Sequence, residues 1–161
     1  MSSGPVLLCF DGSDDAAVAI AAAGELLASR KAVVVTVWEP VAVWEPYDPG
    51  ALLSAGVASV GSEALGLDEI ANRLARDKVD QGVELARAAG FDARGEIARG
   101  KTWHAICETA DALDAAAIVL GARGLSRVQS MLLGSVSSAV ATHAKRPVLV
   151  IPHHPSADPE D

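Results

Sequence analysis

Four short apolar runs with almost no polar alternation constrain this chain most: Val6–Phe10, Ala32–Val37, Ala115–Leu120 and Pro147–Ile151. A strand with water on one face alternates apolar and polar residues at a period of two, whereas a strand apolar throughout is covered on both faces, as in a parallel sheet lying between helices. The segments between the runs fit that arrangement. Ser13 suits the N-cap of a helix, Asp14 and Asp15 complement the positive end of its dipole, and the Ala-rich stretch to Ser29 has high helix propensity. Leu67, Ile70, Ala71, Leu74, Ala75, Val79, Val83 and Ala86 recur at helical spacing over Leu67–Ala89, and Gly90 supplies a stop. Thr102–Leu113 and Ser135–Ala144 read as further helices, and the weakly alternating Phe91–Ile97 as an edge strand. Strands alternating with helices predict an α/β fold, a single-domain open parallel sheet with right-handed crossovers.

A length of 161 residues suits one domain, expected over residues 1–152, followed by an acidic, disordered tail at 153–161. Half of the residues are hydrophobic and mean hydropathy is +0.28, which excludes a disordered chain; no apolar run approaches the roughly 18 residues of a membrane span. Thirteen basic against twenty-one acidic residues give a net charge of -8, so a general nucleic-acid surface is not expected. An anionic ligand must then be held locally, by backbone N–H groups, a helix N-terminus or a bound cation. Cys9 and Cys107 lack CxxC spacing and are expected to be buried, reduced thiols; with no signal peptide in the sequence, the expected location is the cytoplasm. The four histidines form no metal-ligand spacing. The segment Trp38–Gly66 lacks sustained periodicity and reads as a long loop, a packed or partner-contacting flap that holds Trp38, Trp44 and Tyr47.

Chemistry concentrates after the fourth strand, where Gly121 and Gly124 are followed, nine residues on, by Gly134 and Ser135. Gly121 and Gly124 can turn the chain sharply beside backbone N–H groups, and Gly134 and Ser135 open a helix whose unpaired N–H groups and dipole favour phosphate. Ser135 and Ser137 add hydroxyls, and Arg123 and Arg127 add charge. The plainer alternative makes the glycines turn residues and Ser135 an N-cap. Open parallel sheets bind ligands beyond the carboxyl ends of their strands, where strand order reverses. If the first and fourth strands are neighbours, Asp11, the turn after Val37 and the Gly121–Ser137 run share one crevice, with a carboxylate for a ribose hydroxyl and N–H groups for phosphates. For Asp11 the alternative is a helix-initiating Asx turn.

These residues resemble the universal stress protein family, whose ATP-binding members carry GxxG, nine residues, then Gly followed by Ser or Thr. The match covers Val6–Pro152 and fills every motif position, although Cys9 and Phe10 stand where ATP-binding members often have smaller or polar residues. The resemblance implies a five-stranded parallel sheet of order 3-2-1-4-5 with helices on both faces. It implies adenosine near Asp11 and Val37, and phosphates near Gly121, Arg123, Gly124, Gly134, Ser135, Val136 and Ser137. The implied function is nucleotide binding in stress response or signalling, with ATP and magnesium as ligands and cyclic AMP as the alternative. A homodimer is also implied, and the apolar Pro147–Ile151 strand, expected at a sheet edge, is its expected surface.

A rival motif is present as text: Gly95, Gly100, Lys101 and Thr102 satisfy GxxxxGKT, the phosphate loop of many NTPases. Its context is poor, since Gly95 falls inside a strand and no buried strand ends in an Asp to hold magnesium. The Gly121–Ser137 run contains no carboxylate to orient water. A binder or sensor with slow hydrolysis at most is therefore expected, rather than an efficient enzyme.

Overall fold

Valine, leucine and isoleucine dominate the centre of the sheet because both of its faces exclude water. The computed structural model describes residues 4–27, 30–40, 66–123 and 133–152. In chain order the elements are β1 (Val6–Cys9), α1 (Asp14–Leu27), β2 (Lys31–Trp38), α2 (Leu67–Ala88), β3 (Asp92–Arg99), α3 (Thr102–Ala112), β4 (Ala117–Gly121), α4 (Ser135–His143) and β5 (Val148–Ile151). The five strands form one sheet of order β3-β2-β1-β4-β5. Every pairing is parallel: Val6 faces Ala32 of β2 on one side and Ala117 of β4 on the other. The expected fold and strand order are both present.

Alternate residues of each strand feed two cores. Leu8, Phe10, Val34 and Val119 pack with Ile20 of α1 and Val79 and Val83 of α2. Leu7, Val33, Val35, Ile118 and Leu120 pack with Ile106 of α3 and Val140 of α4. Val6, Leu7 and Leu8 of the central strand are fully shielded, and burying each such side chain contributes roughly 1.5–3 kcal/mol. The β1–β2 pairing continues past Cys9, with Phe10 N–H donating to Val35 O at 3.0 Å and Thr36 Oγ1 to Phe10 O at 2.9 Å.

Two expectations are corrected. β3 begins at Asp92 and runs through to Arg99, two residues beyond the predicted Ile97, because its pairing with β2 continues in register to Ala98 opposite Val37 and Arg99 opposite Trp38. Ile70 and Leu74, placed on the apolar face of α2, are more than half exposed, whereas Ala75, Val79, Val83 and Ala86 are buried. The 22 residues of α2 span about 33 Å and the eight of β2 about 26 Å, so the first turns of the helix overhang the sheet.

Candidate functional site

β1 and β4 are neighbours, so the chain leaves the sheet in opposite directions from adjacent strands and opens the crevice that such a switch creates. On the β1 side Asp11 makes an Asx turn, its Oδ1 accepting the Ser13 N–H at 2.9 Å. Ser13 Oγ then accepts the Ala16 N–H at 3.2 Å and caps α1, as its position in the sequence suggests. On the β4 side Gly121 is buried, and a Cβ there would stand 2.8 Å from the carbonyl oxygen of Asp15 and 2.9 Å from its carbonyl carbon. The first turn of α1 therefore rests directly on the end of β4, and Gly121 has a packing role that the sequence did not reveal. Arg123 turns back to the same place, with Nε 3.8 Å from Asp15 Oδ2.

The two halves of the glycine run converge. Gly134 N–H donates to Ala122 O at 2.6 Å, and the buried Ser137 hydroxyl donates to Gly121 O at 2.7 Å. Ser137 thus ties α4 to the end of β4. Gly134 occupies the N-cap of α4 in extended backbone (φ -69°, ψ 162°), and Ser135 is the first helical residue, which corrects the alternative of Ser135 as cap. Val37 and Val136 are half-buried against the core on the α3–α4 side. Asp11 and Arg123 are half-buried, and Ser135 is exposed. Gly124 and Arg127 lie outside the described residues, as do residues 41–65 of the long loop and the 153–161 tail.

Each helix follows a strand, so all four N-termini open at the carboxyl edge of the sheet, and their electrostatics differ. α1 has its Ser13 cap and Asp14 and Asp15 in its first turn; α2 has Asp68 and Glu69. α3 has no acid in its own first turn, but Glu39, arriving from the end of β2, brings a carboxylate to it: Oε1 accepts the Thr102 N–H at 2.9 Å and the Thr102 hydroxyl at 2.7 Å. Those two bonds hold the Glu39 carboxyl below its ordinary range. α4 alone has neither an acidic residue in its first turn nor a side-chain cap among the described residues. Among the described residues no carboxylate is directed at its first N–H groups or its positive dipole end.

The same geometry removes the rival phosphate loop. Gly95, Glu96, Ile97, Ala98 and Arg99 are paired in register with Val34–Trp38, and a strand in a sheet cannot wrap a phosphate. Gly100 turns the chain in left-handed backbone (φ 129°), the Lys101 ammonium lies 5.5 Å from the Trp103 ring centroid, and Glu39 occupies the helix end that a phosphate would need. Glu39 could not be found by local pattern, since it is 63 residues from Thr102. An open groove of about 620 Å³ lies elsewhere, between β2, β3 and the start of α2. Trp38, Arg73, Arg76 and Arg99 line it, with the Arg99 guanidinium 5.2 Å from the Trp38 ring centroid; none of the predicted site residues does.

Cys9 and Cys107 are free and half-buried rather than fully buried, and burial pushes both thiols up, which keeps them protonated. Among the described residues no group of three or more His, Cys, Asp or Glu side chains gathers to hold a metal, and no helix is long and apolar enough to cross a membrane.

The model of the universal stress protein family matches residues 3–152. A universal stress protein of Thermus aquaticus, encoded beside a sulfhydrylase gene, is 31% identical over 150 residues, 91% of this chain and 96% of that protein. Universal stress protein YxiE of Bacillus subtilis is 33% identical over 88 residues, 53% of this chain and 60% of that protein. Among solved structures, universal stress protein UspA from Lactobacillus plantarum is similar with a TM-score of 0.70 at 24% identity, over 94% of this chain and 99% of that one. A universal stress protein in complex with cAMP is similar at 0.62 and 27% identity, over 93% and 98%. A universal stress protein from Archaeoglobus fulgidus in complex with dAMP is similar at 0.59 and 21%, over 92% and 97%. With its sheet order, its Gly121–Ser137 run and a family match over nearly its whole length, this chain belongs to the universal stress protein family.

Proposed function

We propose that the chain binds an adenine nucleotide, ATP foremost, in the crevice between the ends of β1 and β4, and acts as a binder or sensor in stress response or signalling. One observation carries the proposal: of the four helix N-termini at this edge, that of α4 is the one to which no described carboxylate is directed. In a chain of net charge -8, a polyanion must be held where local donors outweigh the overall field. The N–H groups of Ser135, Val136 and Ser137, with Gly124 and Gly134 leaving room for close approach and Gly121 ending β4 beside them, are assigned to the phosphates. Arg123 is assigned to the same group, once a phosphate competes with Asp15 for its guanidinium. Asp11 is assigned to the ribose, through the carboxylate oxygen not engaged by the Ser13 N–H, and Val37 to the adenosine face. Related proteins in complex with cAMP and dAMP support the class of ligand. A magnesium ion accompanying ATP would be held chiefly by the phosphates.

The test is calorimetric titration with ATP, ADP, AMP and cyclic AMP, repeated with Gly134→Val and Lys101→Ala and paired with a phosphate-release assay. ATP should bind saturably to the parent and to Lys101→Ala, and Gly134→Val should abolish binding while remaining folded by circular dichroism. Phosphate release should fall far below the roughly 1 to 1000 per second of ordinary enzymes. Tighter binding of cyclic AMP than of ATP would replace the favoured ligand; no binding of any nucleotide by the folded parent would end the proposal.

We also propose a homodimer through β5. This strand, Val-Leu-Val-Ile, lies at the edge of the sheet with β4 on its other side, and all four of its side chains are only half-buried. The unpaired thiols fit a reducing compartment, and the cytoplasm is the proposed location.

A further inference from the structure

The β1–α1 turn has a neighbour that the glycine run does not explain. Gly12 sits in left-handed backbone (φ 88°), and the position a Cβ would take there is 3.5, 3.6 and 3.7 Å from Cε, Cδ and Cγ of Lys78. Lys78 comes from the middle of α2, and its stem is laid across the space that the missing side chain leaves, so the residue is half-buried while Asp77 and Asp80 beside it are exposed. Nζ is one bond of about 1.5 Å beyond Cε and so lies within about 5 Å of the Gly12 turn. Among the described residues the ammonium has no hydrogen-bond or ion-pair partner. The stem is thus packed over the turn joining Asp11 to the helix, and no described carboxylate is in contact with the ammonium.

Asp11, Asp14 and Asp15 fall within five residues of chain at the turn that Lys78 crosses. Resting on the nucleotide site proposed above, we infer that Lys78 is its positioning charge: held over the Gly12 turn by α2, it offsets those carboxylates and sets the preference for charged nucleotides over uncharged adenosine. The role is electrostatic and needs the charge, not the shape of the stem. The effect therefore scales with ligand charge and is screened by salt.

The experiment is calorimetric titration of ATP and adenosine into the parent, Lys78→Met, which keeps an apolar stem, and Lys78→Arg, at about 20 mM and about 500 mM salt. Lys78→Met should bind ATP about five-fold more weakly than the parent at low salt, a difference that shrinks below two-fold at high salt, and should bind adenosine unchanged. Lys78→Arg should restore most of the ATP affinity. Equal ATP affinity in the parent and Lys78→Met refutes the inference while leaving the nucleotide site intact. Equal losses for ATP and adenosine also refute it, because they would mark a packing role. A folded parent that binds neither ligand refutes the nucleotide site and the inference with it.

Discussion

Placing a methyl group on Gly121 tests whether the first turn of α1 really rests on the end of β4. The added Cβ would lie 2.8 Å from Asp15 O, 2.9 Å from Asp15 C and 3.1 Å from Asp15 Cβ, about 0.6 Å inside ordinary van der Waals contact at the closest atom. Two of these are backbone atoms at the start of a capped helix, so no rotamer change relieves them; either α1 lifts or β4 retreats from its pairing with β5. Overpacking of this kind costs about 1–3 kcal/mol. For a chain of this size each kcal/mol lowers the thermal midpoint by about 2–4 °C, so Gly121→Ala should melt about 4–8 °C below the parent for a 2 kcal/mol loss. Gly95→Ala is the control, because the Cβ there would meet the methyl tips of Val79 and Val83 at 3.0–3.4 Å, which can give way, and its midpoint should move by less than about half as much. Thermal unfolding followed by circular dichroism gives both values. A Gly121→Ala midpoint within 1 °C of the parent, or a larger loss at Gly95 than at Gly121, would refute the packing of α1 on β4 and leave Gly121 a ligand-facing residue only.

Ser137→Ala should lower stability by about 1–2 kcal/mol in urea unfolding, since it removes a buried 2.7 Å bond to Gly121 O and leaves that carbonyl short of a donor. Glu39→Gln should destabilise the protein at neutral pH by on the order of 0.5 kcal/mol, small because the side chain is exposed. The folded-state carboxyl is depressed, so its contribution is present above the unfolded value and is lost as pH falls through the folded one; unfolding curves of parent and variant should converge in acid. Leu149→Asp should shift the protein from dimer to monomer in light scattering while its circular dichroism is unchanged; a parent that is monomeric across a broad concentration range would remove the β5 interface.

The sheet was legible because its chemistry is local: Val6–Cys9, Lys31–Trp38, Ala117–Gly121 and Val148–Ile151 each keep an apolar run that only a doubly covered strand tolerates. β3 was only half legible, because this edge strand carries the charged Arg94–Glu96 pair, and its true end at Arg99 is set by pairing with Trp38 rather than by its own composition. α2 shows the opposite failure: Ile70 and Leu74 keep the helical period after the sheet beneath them has ended, so periodicity overstates the core. At the candidate site, Ser13, Asp11 and the ends of the glycine run could be read from residue type and spacing. The roles of Gly121 under Asp15, of Glu39 at Thr102 and of Lys78 over Gly12 could not, because each is a contact between segments distant in sequence that only the folded chain brings together.

Among the described residues these distant contacts set the α4 end apart from the other three helix ends at this edge. A parallel sheet with helices after every strand creates the same positive dipole end four times, and an uncapped one is unsatisfied in the absence of a ligand. The chain settles three of them internally with its own carboxylates: Asp14 and Asp15 at α1, Asp68 and Glu69 at α2, and Glu39 at α3. The surplus of acid that gives the net charge of -8 thus does two things at this edge: it closes three helix ends and sets a repulsive field around the fourth. In the proposed site an anion must therefore engage directed N–H donors, with Lys78 and Arg123 assigned to offset that field. Glu39→Lys would reverse one of the three closures. If internal carboxylates decide where an anion goes, that variant should bind inorganic phosphate or sulfate at the α3 end as a second, weaker site in calorimetry, with the α4 site unchanged; a variant that still shows one site would mean that the glycine run alone, and not the neutralised neighbours, selects the position.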